Sequence, residues 1–488
     1  MNVRYESVIG LEVHCQLELA SKLFSPCPLE IGAVPNTRTD AYTWGLPGTL
    51  PMPNRAAVHA AIALALATRC TVHRHSRFAR KHYFYPDLPK GYQITQADEP
   101  YATGGEVEIP GFTRDDGAPW RVRLHRIHLE EDAGKNVHVG RTSGVDYNRA
   151  GAALVEIVSE PDLRSAEQAA AYMRELRTLV RALGISQANM EEGTLRCDAN
   201  VSLRPVGTEP LGERCEIKNV NSFRFLARAI DAEIRRQTDM LTHGESITRC
   251  TLGYDHEHDR LFVMRTKEDA ADYRFLPDPD LPPLVIDDAW VDEVRNALPE
   301  LPAARRERWR GLGVAADDAS MLAAERDLAE YFDALLVATG PARARRAANW
   351  LVTDLLGRLG GAPIASCPVP ATMLAEIVTM VDDDVISGRT GKDVLGLCWS
   401  GEGTPAQLVE QRGLGQLSDA GPVDALIAEV FAENPRQLAS LLAGKDSLRG
   451  FFVGQIMKRS RGQANPRLVA TRLDAALRQA AGSTEEPS

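Results

Sequence analysis

Hydrophobic and polar residues alternate through residues 8–17, V-I-G-L-E-V-H-C-Q-L. A strand sends successive side chains to opposite faces. Leu11, Val13, Cys15 and Leu17 therefore share one face, and Glu12, His14 and Gln16 share the other. Residues two apart stand roughly 7 Å from one another, close enough for Glu12 and His14 to bracket one ion. The same period returns in residues 195–203, where Leu195, Cys197, Ala199, Val201 and Leu203 oppose Arg196, Asp198, Asn200 and Ser202. In residues 214–220, Arg214, Glu216 and Lys218 share a face. Residues 152–159 put Glu156 on the face of Leu154 and Val158, flanked by Val155 and Ile157. A carboxylate in so apolar a strand is costly unless a cation or hydrogen bonds hold it. Residues 122–132 read as another strand, ending in three adjacent acids, Glu130, Glu131 and Asp132. These repel one another unless water or a cation neutralises them.

A longer period marks the helices. Asn54 is placed to cap an alanine-rich helix over residues 55–69. Ser165 and Gln168 form a capping-box pattern, Gly184 can close that helix, and Tyr172, Leu176, Leu179 and Leu183 make its apolar face. Asn221-Ser222 caps a third helix through Phe225, Ala229 and Ile230. Beyond about Asp292 the strand pattern stops and helices dominate, with a further Gly- and Pro-rich break over residues 399–411.

Residues 78–96, F-A-R-K-H-Y-F-Y-P-D-L-P-K-G-Y-Q-I-T-Q, interleave Arg80, Lys81 and Lys90 with Tyr83, Phe84, Tyr85 and Tyr92. Two X-Pro bonds and a glycine predict extended, non-repeating backbone. Such cations can hold phosphate oxygens while the aromatics stack on a base or ribose, but a Tyr/Phe mini-core with solvated cations fits equally. Residues 259–283 are charged and proline-rich, with arginines suited to a phosphate or to nearby acids.

Charge narrows the partners. The 488-residue chain carries a net charge of −11, which argues against general nucleic-acid coating. Its end is nevertheless basic: Lys458, Arg459, Arg461, Arg467, Arg472 and Arg478 meet few acids. That stretch suits a phosphate backbone, or simply a solvated pair of helices. Eight cysteines without a C-x-x-C pair fit unpaired thiols in a reducing cytoplasm. His256 and His258 near Cys250 match no zinc spacing, so zinc is not expected. P-loop and G-x-G-x-x-G motifs are absent, and no apolar run suggests a membrane span. One polar sheet face is ordinary surface. Several of them, carrying His14 and more acids than lysines, point to an oxygen-rich site for Mg²⁺, and so to phosphate chemistry.

Seven stretches, in order, carry a resemblance over nearly the whole chain: V-I-G-L-E-V-H, the 78–96 stretch, H-L-E-E-D-A-G-K, L-V-E-I-V-S-E-P-D, M-E-E-G-T-L-R-C-D-A-N-V-S-L-R-P, E-I-K-N-V-N-S-F and G-Q-A-N-P. Together they resemble the B subunits of aspartyl/glutamyl-tRNA amidotransferases. The resemblance implies an α+β fold: a large mixed-sheet cradle domain (1–292), an all-α domain (293–404) and a small all-α tail domain that touches tRNA (405–488). It implies a heterotrimer with an amidase-type A subunit and a small C subunit. The substrate would be misacylated Glu-tRNA(Gln) or Asp-tRNA(Asn), activated by ATP and Mg²⁺ to an acyl phosphate, then amidated by ammonia that the A subunit releases from glutamine. Carried onto this sequence, the metal ligands fall on His14, Glu131 and Glu156. Glu12, Glu130, Asp198 and Glu216 are candidates for a second ion or for steering ammonia, with Glu12 also among the catalytic residues. Arg80, Lys81 and Lys90 are the phosphate-binding candidates, and Lys458, Arg459, Arg461 and Arg467 the tRNA-binding ones. One segment departs from the pattern: residues 246–262 keep Thr248-Arg249 but lack the Gln-Glu pair that precedes them in the family.

Overall fold

The computed structural model describes residues 3–30, 32–140, 142–266, 273–417, 420–460 and 463–482. It divides into two compact units, Met1–Ala304 and Arg305–Ser488.

The first unit is built on β1 (Tyr5–Gln16), α1 (Arg55–Ala67), β2 (Ala79–His82), β3 (Tyr92–Thr95), β4 (Pro119–Glu131), β5 (Ala153–Ser159), α2 (Ala166–Ala182), β6 (Leu195–Pro205), β7 (Cys215–Val220), α3 (Phe223–Thr242), β8 (Cys250–Asp255), β9 (Arg260–Thr266) and α4 (Asp288–Ala297). A ten-stranded sheet runs β9-β8-β7-β6-β1-β5-β4 and is completed by three shorter strands beyond and beside β4. β7 and β8 pair in parallel, with α3 as the crossover between them, and the neighbouring pairs are antiparallel. The sheet is therefore mixed and the fold α+β.

One sheet face is covered. Leu11, Val13, Cys15, Ile127, Leu129, Val155, Ile157, Cys197, Val201 and Ile217 join the apolar sides of α1, α2 and α3 in a single core. The helices start where their caps predict. Asn54 accepts from Ala56 N, Ser165 from Gln168 N, and Ser222 from Phe225 N. The Gln168 side chain turns back to accept from Arg164 N at 2.7 Å. Gly184 follows α2 at φ +68°, left-handed backbone that a side chain would oppose.

Residues 78–96 are more regular than their prolines and glycine suggest. β2 and β3 pair antiparallel, with Arg80 opposite Ile94, and Leu276 joins β2 on its other side. The prolines interrupt only the connection between them.

The second unit holds two cores. One gathers Trp309, Phe332, Leu335, Leu351, Leu374 and Val394, with α5 (Arg326–Thr339), α6 (Ala371–Asp382) and α7 (Gly388–Trp399) among its helices. The other gathers Val423, Ile427, Phe452, Ile456, Val469 and Leu473 from α8 (Ala420–Glu433), α9 (Arg449–Arg459) and α10 (Pro466–Gly482). The packing divides later than residues 292 and 404. α4 commits Val291 and Val294 to the sheet core, and the helix Pro405–Gln411 commits Leu408 and Val409 to the core before it. No helix among the described residues is long and apolar enough to cross a membrane.

Candidate functional site

The opposite face of the sheet carries the polar row. β1 lies between β5 and β6, so His14 stands opposite Glu156 on one side and Arg196 on the other. Glu156 in turn stands opposite His128 of β4. One step along, Glu12 faces Asp198, and Asn200 faces Glu216. Two clusters result. In the first, His14 Nε2 lies 3.5 Å from Glu130 Oε1 and 3.3 Å from Glu156 Oε2. His128 Nε2 also reaches Glu156 Oε2, at 3.2 Å, while its Nδ1 is buried without a hydrogen-bond partner. In the second, Glu12, Asp198 and Glu216 offer carboxylate oxygens within 4.8 Å of one another. Lys218 Nζ sits between Asp198 (2.5 Å) and Glu216 (3.1 Å), and Asn200 donates to Glu12 at 3.1 Å.

The electrostatics follow from this crowding. Burial lowers the His14 pKa, but the hydrogen bond to Glu156 and the charges of Glu130 and Glu156 outweigh it and push the imidazole up to about 9. Burial works to raise Glu156, yet His128 and His14 hold its carboxyl well below the usual range. Glu12 goes the other way: burial, then Glu156, Asp198 and Glu216, raise it, and Lys218 only partly offsets them. Lys218 itself is raised by Asp198 and Glu216 against the effect of burial. Both clusters have the donor sets of cation sites, one nitrogen with two carboxylates and three carboxylates. All of these side chains but Glu216 line a cleft of about 380 Å³ together with Lys81, Arg126 and Tyr273. A larger cavity of about 590 Å³, lined by Lys135, Arg149, Glu191, Arg196 and Asn219, shares Asp198 with it.

Three candidates from the sequence stand elsewhere. Glu131 is not in the cluster: it shares the core face with Ile127 and Leu129, is 1% exposed, and accepts from Lys90 Nζ and from Ile94 N. Glu130 takes its place beside His14. Lys90 is correspondingly occupied, donating to Glu131 and to Tyr42 Oη (2.9 Å) with its ammonium over the Tyr42 ring. Arg80 is held by Asp278 (2.8 Å) and Asp280 (2.7 Å) and stacks on Tyr92. Of the three phosphate candidates, Lys81 alone lines the cleft, 4.8 Å from the Tyr273 ring centre.

His128 and Lys218 sit within the clusters, and Arg126 and Tyr273 in the cleft, without being candidates from the sequence. The first two carried a signal: H-x-E at 128–130 mirrors E-x-H at 12–14, and Lys218 stands two residues from Glu216. In the second unit, Lys458 and Arg467 are exposed, whereas Arg459 is paired with Glu433 (2.5 Å) and Glu429 (3.6 Å). Arg461 lies outside the described residues.

Comparison with known families agrees with this layout. Residues 7–292 match the GatB/GatE catalytic domain, and residues 330–477 match the GatB domain. The chain belongs to the GatB/GatE family. It is 50% identical over 473 residues to a Halorhodospira halophila protein, covering 96% of this chain and 98% of that one. It is 49% identical over 470 residues to an Alkalilimnicola ehrlichii protein, covering 95% and 97%. Both relatives are named as the B subunit of an aspartyl/glutamyl-tRNA(Asn/Gln) amidotransferase. The catalytic-domain match spans every residue of both acidic clusters, so this GatB/GatE chain carries its polar sheet face within the family's catalytic region.

Proposed function

We propose that this chain is the B subunit of a glutamine-dependent aminoacyl-tRNA amidotransferase, and that its sheet face activates the side-chain carboxylate of misacylated Glu-tRNA(Gln) or Asp-tRNA(Asn). The observation that carries the reading is the convergence of His14, Glu130, Glu156, Glu12 and Asp198 on one cleft, with Glu216 beside Glu12 and Asp198, in a chain half identical to named B subunits.

A carboxylate resists amine attack because oxide would have to leave. Transfer of the ATP γ-phosphoryl group to it makes an acyl phosphate, from which ammonia can displace phosphate. His14, Glu130 and Glu156 would hold one Mg²⁺, and Glu12, Asp198 and Glu216 a second. Bound there, the ions would neutralise phosphate charge. Lys81 supplies a fixed cation to the same cleft, and Lys218 anchors Asp198 and Glu216. The two cavities meeting at Asp198 offer room for a nucleotide beside the aminoacyl end. Ammonia comes from glutamine through an amidase-type A subunit, with a small C subunit completing the complex.

The test supplies this chain and its A and C partners with γ-labelled ATP, Mg²⁺ and Glu-tRNA(Gln), and no ammonia donor. Transfer of the label out of ATP that requires the misacylated tRNA and vanishes in His14→Ala is expected. ATP cleavage indifferent to tRNA, or retained in that variant, would overturn the assignment.

The helical end would grip the tRNA body. Lys458→Ala and Arg467→Ala should each weaken tRNA binding and make the slope of log K against log salt shallower by about 0.9, the value for one lost duplex phosphate contact. Arg472→Ala should leave the slope unchanged, because Asp424 already holds that guanidinium. Filter binding at several salt concentrations reads both.

A further inference from the structure

Cys215 and Cys250 open the two parallel strands of the sheet, β7 and β8. Their neighbours Glu216 and Thr251 are paired in register, which puts the two cysteines side by side. The Cys250 thiol donates to Cys215 Sγ across 3.6 Å. Adjacent strands lie about 4.8 Å apart, inside the roughly 4.4–6.8 Å span of Cα atoms that a disulfide bridges. Bond formation therefore asks for side-chain rotation rather than backbone movement. Access is graded: Cys250 is partly exposed and Cys215 buried. The buried sulfur is fixed in place, accepting from Arg236 Nη2 at 3.4 Å and donating to Thr248 O at 3.5 Å. Arg236 is itself pinned by the buried Glu233.

We propose that Cys215 and Cys250 are a reversible dithiol–disulfide pair that clamps the outer strands β8 and β9 to the rest of the sheet. The oxidant is a small-molecule disulfide. The Cys250 thiolate attacks it, one thiol leaves with the Cys250 proton, and a mixed disulfide remains. Cys215 then attacks the Cys250 sulfur and expels the second thiol, which takes the Cys215 proton. Two electrons pass from the pair to the oxidant, and one S–S bond replaces another. The new bond falls one residue before Glu216 and Thr251, whose side chains share a 3.1 Å hydrogen bond at the edge of the acidic cleft. The modification thus abuts the site without using any residue assigned to it.

The experiment incubates the full chain with glutathione disulfide, alkylates the remaining thiols, and maps peptides by mass spectrometry. A Cys215–Cys250 linked peptide is expected, reversed by dithiothreitol, with the other six cysteines alkylated. A lasting glutathione adduct on Cys250 with Cys215 still alkylated would overturn the proposal, as would full alkylation of both at every oxidant concentration. Hydrogen exchange on the same samples tests the clamp: backbone amides of β8 and β9 should exchange more slowly in the oxidised chain, and unchanged exchange with the bond formed would refute it. In Cys250→Ser, with exchange elsewhere as in the parent, Cys215 should stay reduced; its linkage to any other cysteine would also count against the pair.

Discussion

Glu130 and Glu131 are consecutive in the chain and live in different surroundings. Glu130 looks into a cleft where five carboxylates meet two histidines and Lys218. Glu131 looks into the core, where one ammonium, one backbone amide and an aromatic ring are arranged for it. On the back of the sheet the buried acid Glu131 has its own buried base. Lys22, 1% exposed, is a second cation on that side, donating to Thr43 (3.3 Å) and the Tyr147 carbonyl (3.4 Å), and burial lowers its pKa. The front is unbalanced, with surplus negative charge and room beside it. A balanced buried pair serves the fold; an unbalanced open cluster is held there at a cost to the fold and serves a ligand.

That contrast predicts separate consequences on the two sides. The largest effect belongs to Glu156→Gln, which removes the acid that both histidines share. ATP-dependent activation should fall roughly 10²–10⁴-fold, and stability at neutral pH should fall as well, because both histidines hold the Glu156 carboxyl well below its usual range. Activation retained at the parent level would erase the distinction. Next comes Glu131→Gln, which leaves the Lys90 ammonium buried without its counter-charge. Stability should drop by about 3–5 kcal/mol in urea or guanidinium titrations. An unchanged midpoint would show that the back pair is no more structural than the front. The smallest effect is Glu12→Gln. The folded chain raises the Glu12 pKa above its ordinary 4.5, so it holds this proton more tightly than the unfolded chain does. The contribution to stability is full below about pH 4.5 and is lost as pH rises through the folded value. At neutral pH, without divalent cation, the variant should melt up to a few degrees higher than the parent. The gap should close as the pH is lowered, and a lower melting temperature at pH 7 would contradict it.

How far the sequence could carry this contrast depends on the strand. β1 and β6 alternate without interruption, and the side assigned to Glu12, His14, Asp198 and Asn200 is the side they occupy. Glu216 and Glu156 followed in the same way. β4 does not keep one phase. Val122 and Leu124 enter the core, and so do Ile127 and Leu129, because the pairing slips between Val158 and Ser159 of the neighbouring strand. Strict alternation from Val122 sends Glu131 to the open face. The extra residue of the bulge returns it to the core and delivers His128 and Glu130 instead. A run of alternating letters gives no sign of where such a slip occurs. Partners from distant loops were equally hidden: nothing near Arg80 announces Asp278, and nothing near Lys90 announces Tyr42. The caps at Asn54, Ser165 and Ser222 were readable because each involves residues within one turn.

The central position of β1 also sets a timetable. This strand leaves the ribosome before either of its neighbours, β5, ending at Ser159, and β6, ending at Pro205. At about 5–20 residues per second, roughly 10–40 s pass between the emergence of Gln16 and that of Pro205. Throughout that interval the apolar side of β1 lacks the completed sheet it will join. The nascent chain thus carries an uncovered hydrophobic strand through much of its synthesis, and a chaperone that shields β1 would protect the element on which the whole sheet is later assembled.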